Sequence, residues 1–364
     1  VYSFEPTEEQ KKLIEVVSRY AGNDLRPAAR DAEEGQGFSK RLIQKGWELG
    51  VLQASIPETY GGFGERSAVT SVLAVEEMAW GDLAGALIVL TPGLFAMPIL
   101  LAGSEAQKQE YLPPIVEGDW QPYTAALIEP SFDFDPLELK TTATAAGDVY
   151  ILNGEKTFVP FAREAEALII YARLGDQTQG FIVPRGLQGV QVSEPVKAMG
   201  INAVPLYKVK LEDVRIPAGS RLGGEAGHDF APILDSFRVA MAGLAVGLSR
   251  AALEYARDYA KEREAFGVKI AQKQAIAFML AEMATEIEAI RLLVWEAAWM
   301  LDARKPDASK HAYLALTGAT DMAMTVTDRA VQILGGHGYI REYPVEMWMR
   351  NGRGVAALAG MAII

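Results

Sequence analysis

The sequence predicts an α+β protein whose helices and strands are segregated along the chain. Two observations carry this. Apolar residues recur at helical spacing in the first and last thirds, while the middle third breaks into short β-rich runs separated by turn residues. A helical block, then strands, then helices again indicates α+β architecture and not a doubly wound α/β sheet. A third observation agrees: there is no Walker loop and no strand–Gly-x-Gly-x-x-Gly–helix unit, so a Rossmann cofactor site is not expected. The expected domains are residues 1–120, helical; 121–225, a small antiparallel β domain; and 226–364, a four-helix bundle.

The elements follow in order. Thr7-Glu-Glu-Gln10 offers an N-cap and an acidic first turn, and Leu13, Val16, Val17 and Tyr20 continue at helical spacing. A second helix is expected over Lys40–Leu49, stopped by Gly50 and by Pro57-Glu-Thr-Tyr-Gly-Gly62; a third is expected over Ala68–Met78. Strands are expected at Tyr150–Lys156, Ala167–Arg173, Gly180–Pro184 and Leu206–Leu211. In the last, Tyr207, Val209 and Leu211 alternate with lysines, as on a sheet packed on one face. From Phe230 the helical period returns. Ile276, Met279, Leu280, Met283, Ile287, Ile290 and Val294 form a stripe expected to be buried in a bundle.

Composition narrows the function. A chain of 364 residues, half of them hydrophobic, is long enough for several packed layers. The net charge of −12, with no basic run, argues against nucleic acid as a partner. The chain has no cysteine, which excludes disulfides, thiolate nucleophiles and iron–sulfur ligation. The histidines His228, His311 and His337 lack metal-ligand spacing; no metal site is expected, and each is read as structural or surface-exposed. No apolar run reaches the roughly 18 residues of a spanning helix, and the most apolar stretch, Ala84–Leu101, is broken by Pro92, Gly93 and Pro98. The amino terminus is acidic and lacks the apolar region of a secretory signal. A cytoplasmic protein without a membrane partner is expected (mitochondrial matrix in a eukaryote), with a removed targeting peptide left open.

Motifs across the whole chain resemble those of the acyl-CoA dehydrogenase family. They are Glu76-Glu77-Met78, Gly103-Ser-Glu-Ala-Gln-Lys108, Leu127-Ile-Glu-Pro130 with Asp133-Phe-Asp135, and Asn153-Gly-Glu-Lys156. Further along stand Leu211-Glu-Asp-Val-Arg-Ile-Pro217, Arg263-Glu-Ala-Phe-Gly267 with Gln274, and Gln332-Ile-Leu-Gly-Gly-His-Gly338. The resemblance implies a helical, β, helical fold, an acyl-CoA substrate, and FAD shared across a dimer interface. One subunit supplies the flavin end and the catalytic base, and its mate supplies the adenine and pyrophosphate contacts. Electron-transfer flavoprotein is a further partner that the resemblance makes possible.

Against that pattern the chain departs in one half of the site. Residues 350–364 carry no acidic side chain. Where the family has its Tyr-Glu-Gly-Thr, this chain has Leu358-Ala359-Gly360-Met361, so Ala359 stands in the place of the base. The second place for a base in the family holds Phe237, and neither residue can accept a proton. Ile128 replaces a Thr and Phe134 a Ser, while Phe158-Val159-Pro160 replaces Trp-Ile-Thr/Ser; Pro160 removes a hydroxyl and a backbone N–H together. Ile128 and Phe158 are therefore candidate flavin contacts that have lost polarity, and Asp235 and Arg238 match residues that place CoA.

By the resemblance the contacts owed to a neighbour's cofactor are kept: Arg263 at the pyrophosphate, Phe266 near the adenine end, Gln332, Gly335 and Gly336 where the backbone approaches the adenosine, and Gln274 as a further cofactor-binding residue. The expectation is a base-less subunit that completes the FAD site of a homologous catalytic subunit in a heteromeric tetramer. The alternatives are a homo-oligomeric flavoprotein with other acyl-CoA chemistry, and a non-catalytic binding protein on the same fold.

Overall fold

The computed structural model describes residues 5–364; the reading of the amino terminus rests partly on residues 1–4, outside the described residues. Helix α1 (Glu8–Tyr20) starts where the sequence places it. The Thr7 side chain accepts from the Gln10 N–H, and the Gln10 side chain accepts from the Thr7 N–H, a complete capping box worth about 1 kcal/mol. Then follow α2 (Arg26–Asp31), α3 (Lys40–Trp47), α4 (Ala68–Gly81), α5 (Leu83–Leu90), α6 (Gly93–Ala102) and α7 (Glu105–Glu117). The apolar stretch after residue 83 folds into α5 and α6, two short helices bent by 51° at Thr91-Pro92.

The middle of the chain forms β1 (Thr124–Ala126), β2 (Thr142–Ala146), β3 (Val149–Pro160), β4 (Ala167–Leu174), β5 (Gln177–Pro184), β6 (Val190–Val192) and β7 (Leu206–Pro217). The expected antiparallel sheet is in fact mixed. Strand β4 pairs antiparallel with β5 but parallel with β1 and, at Arg173, with β2. Short β1 carries no period to reveal it, because all three of its residues are buried. Strands β3 and β7 form the long antiparallel pair inside the sheet, with register breaks between Leu152 and Gly154 and between Lys156 and Val159.

The last part contains α8 (Ala231–Glu262), the small hairpin β8 (Glu264–Ala265) and β9 (Val268–Lys269), then α9 (Gln274–Asp302), α10 (Ala308–Leu334) and α11 (Val345–Gly354). Contrary to expectation, among the described residues one helix, α8, is long and apolar enough to cross a membrane, and 83% of its most apolar stretch is buried inside the protein. It is the axis of the core, packed between α4 and α10, which explains its composition without lipid.

The apolar stripe on α9 is only partly enclosed. Met283, Ile287 and Val294 are buried, whereas Ile276, Met279, Leu280 and Ile290 stay half-buried and Phe278 and Leu292 are exposed. A buried charge cluster locks α4 to α8 and α9: Arg250 pairs with Glu76 at 3.0 Å and Glu77 at 2.6 Å, and Arg291 reaches Glu76 at 3.0 Å.

Candidate active site

The chain leaves β1 through Leu127-Ile-Glu-Pro130, and a buried ion pair fixes that exit. Glu129 accepts from the Lys140 N–H at 2.7 Å and the Thr141 N–H at 2.8 Å, and pairs with Lys156 Nζ at 2.8 Å. Lys156 is fully buried and also donates to the Leu127 carbonyl. Burial pushes Glu129 up, but the charge and hydrogen bond of Lys156 outweigh it and hold the carboxyl below its usual range; burial brings Lys156 down to about 8. With its acceptors spent, Glu129 is a clamp on the backbone and not a free base.

Beside this clamp the Thr157 N–H donates to the Ile128 carbonyl at 2.9 Å, and the next residue, Phe158, adopts φ +52°. Phe161 has φ +52° as well. Positive φ on a bulky residue costs on the order of 1–3 kcal/mol and concentrates at functional segments. Ile128 is buried, Phe158 and Phe134 pack half-buried on the helical core, and Pro160 pairs with Leu206 in the sheet.

The acid-free end of the chain folds against the same segment. A Cβ on Gly360 would lie 3.2 Å from Leu127 Cβ and 3.4 Å from Ile128 Cγ1, so Ala359 stands next to the β1 exit. Leu358 and Met361 are buried in the helical core, and Ile363 joins Leu94, Met97 and Phe237 beneath the sheet. Phe237 is 0% exposed and meets the ring of Tyr171 edge-on at 6.1 Å. The two positions at which the resemblance would put a base thus hold a half-buried methyl group and a phenyl ring enclosed in the apolar core.

Asp235 and Arg238 do stand together, one turn apart on α8 and 3.2 Å from each other. Asp235 also accepts from the Ser309 hydroxyl and faces a cleft of about 850 Å³ between α6, the start of α8 and the α9–α10 turn. Burial raises its pKa, and Ser309 and Arg238 oppose that. Arg238 lies over the Tyr313 ring at 5.3 Å.

The third group forms an open cleft of about 350 Å³ on the outer side of the bundle. Arg263, Phe266, Gly335 and Gly336 line it, together with Tyr259 and His337, which the sequence had not singled out as site residues. Phe266 is 94% exposed and held at φ +55° by the hairpin that follows α8. Gly335 has φ +58°, which explains that glycine within the chain. Gly336 has no such need: its φ is ordinary and a Cβ there would meet nothing within 4 Å. Nothing in the described chain's own packing requires a glycine at 336. Gln332 and Gln274 are exposed but do not line the cleft.

This division into helical, β and helical parts is the architecture of a family of oxidoreductases. The family model "Acyl-CoA dehydrogenase, N-terminal domain" matches residues 7–119, the middle-domain model residues 124–214, and the C-terminal-domain model residues 231–362. The cyclohex-1-ene-1-carbonyl-CoA dehydrogenase of Syntrophus aciditrophicus is 37% identical over 96% of this chain and 86% of its own. The caffeyl-CoA reductase-Etf complex subunit CarC of Acetobacterium woodii is 36% identical over 95% and 93%. The solved structure of butyryl-CoA dehydrogenase from Megasphaera elsdenii superposes with TM-score 0.89 at 33% identity, covering 98% of this chain and 96% of that one. The chain belongs to the acyl-CoA dehydrogenase family of FAD-dependent oxidoreductases.

Proposed function

We propose that this chain is the base-less subunit of a heteromeric acyl-CoA dehydrogenase, completing the FAD site of a homologous subunit that carries the catalytic carboxylate. One observation carries the reading: four of the six residues owed to a neighbour's cofactor, Arg263, Phe266, Gly335 and Gly336, gather around an open cleft, while Ile128, Phe134 and Phe158 pack on the apolar core. The two halves fit FAD differently. At the cleft a guanidinium, an exposed aromatic ring and a glycine whose Cβ space is free suit a pyrophosphate and an adenine. At the β1 exit Ile128, Phe134 and Pro160 offer no side-chain donor to a flavin edge. Each hydrogen bond forgone costs on the order of 1 kcal/mol of affinity, and about 1.4 kcal/mol is tenfold.

FAD, when bound, supplies the hydride acceptor for α,β-dehydrogenation of an acyl-CoA thioester. This chain's part is to hold the adenine-diphosphate end through Arg263, Phe266 and Gly336, and to keep water from it. The relation to a caffeyl-CoA reductase-Etf complex subunit supports an electron-transferring flavoprotein as the electron partner of the assembly.

The visible spectrum tests the proposal. The isolated chain should be nearly colourless, and the complex purified after co-expression with a base-bearing homologue should hold about one FAD per two chains. A pure homo-oligomer with FAD in every subunit overturns it.

A further inference from the structure

His337 lines the open cleft beside Arg263 and Gly336. Its Nδ1 shares a 2.7 Å hydrogen bond with the Tyr259 hydroxyl. Its ring stacks on Tyr343 with centroids 4.9 Å apart and planes 6° from parallel, and Tyr259 stands edge-on to both rings at 5.9 and 6.1 Å. The imidazole is thus fixed in position by two neighbours, one polar and one aromatic. Burial raises the Tyr259 pKa, with Arg263 opposing, so the phenol stays protonated and able to donate. When it donates to Nδ1, the neutral imidazole carries its proton on Nε2. Among the described residues no group hydrogen-bonds to Nε2. A ring held this firmly, with its second nitrogen unpaired at the wall of a cleft that also presents a guanidinium, is arranged as a hydrogen-bond donor toward an anion.

We propose that His337 positions the bound dinucleotide, its Nε2–H donating to the pyrophosphate that Arg263 binds, with Tyr259 setting the tautomer. This rests on the reading of the cleft as the adenine-diphosphate half of a shared FAD site. The measurement is the FAD dissociation constant of the co-expressed complex carrying His337→Phe, His337→Gln or Tyr259→Phe. Phenylalanine keeps the stacking and removes the donor; glutamine keeps a donor and removes the stacking. His337→Phe should weaken FAD about tenfold or more, as expected for losing a hydrogen bond to a charged group. His337→Gln should recover most of that loss, and Tyr259→Phe should fall between. If His337→Phe binds FAD like wild type, or if it binds well while His337→Gln does not, the residue only packs and the inference is overturned. If His337→Phe fails to assemble, His337→Ala takes its place as the donor-less variant, and wild-type FAD affinity in it refutes the donor. A wild-type complex without FAD overturns the shared-site reading itself, which separates the two failures.

Discussion

At the scale of single residues, the base-less reading proposed above involves more than one position. Next to Ala359, Gly360 lies against Leu127 and Ile128 and Met361 is buried, while the alternative base position is a phenyl ring packed on Tyr171. Ala359→Glu alone should therefore give neither flavin uptake nor acyl-CoA dehydrogenation by the isolated chain with an artificial electron acceptor. Measurable turnover would show that the apolar surroundings are not the obstacle. A second residue sets a pH dependence. Asp82 is fully buried at the start of α5, accepts from the Gly85 N–H at 2.7 Å, and is pushed by burial from 3.8 to about 7. Because its folded pKa lies above the unfolded one, its stabilisation is complete in acid and is lost as pH rises through about 7. Asp82→Asn keeps the acceptor and cannot ionise. Between about pH 4 and 7 its stability, read as melting temperature, should fall less than that of wild type, and above about 7 the two should run parallel; parallel curves throughout would exclude Asp82 as the titrating group.

Among the elements, α11 decides where the acid-free end of the chain goes. Arg350 on α11 donates to Glu346 at 2.8 Å and to the Met199 carbonyl at 2.9 Å, and pairs with buried Glu33 beyond α2; Arg30 joins Glu346 at 2.5 Å. Removing one member of such a network leaves a buried charge uncompensated, so Arg350→Ala should cost about 3 kcal/mol in denaturant unfolding. A loss below about 0.5 kcal/mol would mean that solvent replaces the pairing. Much at this scale was legible in the sequence, because caps and periods are local: α1 begins at its capping box, and β3, β4, β5 and β7 cover the four expected runs. Strands β1, β2 and β6 were not legible. Their three to five residues are too short for a period, and β1 and β6 exist only through pairing with distant strands. The parallel arrangement of β1 and β2 with β4 is likewise a tertiary choice with no local signature.

For the whole molecule, half of the α9 stripe stays uncovered by the rest of the described chain. The stripe looked like core because its period is that of a core helix; the sequence cannot say whether the covering surface belongs to the same chain. Phe278, Leu292, Tyr313 and Leu314 project from α9 and α10. In the proposed complex these surfaces become covered, so amide hydrogen exchange across residues 276–293 should slow on mixing with the base-bearing subunit. Unchanged exchange there, in a complex that nonetheless forms, would move the interface elsewhere. The legibility of the site was uneven in the same way. Arg263, Phe266, Gly335 and Gly336 were readable from two motifs and meet in one cleft, whereas Tyr259 on α8 lies outside both motifs and His337, inside the second, carried no signal of its own.

The cleft on the outer side of the bundle has a further consequence. If its ligand is held mainly by another subunit, colour becomes a gauge of assembly. Diluting the complex through its dissociation constant should release flavin into solution, and excess FAD should by mass action pull the subunits back together. The cofactor would then act as a concentration-dependent glue, and the stability of the oligomer could be titrated with a spectrophotometer alone.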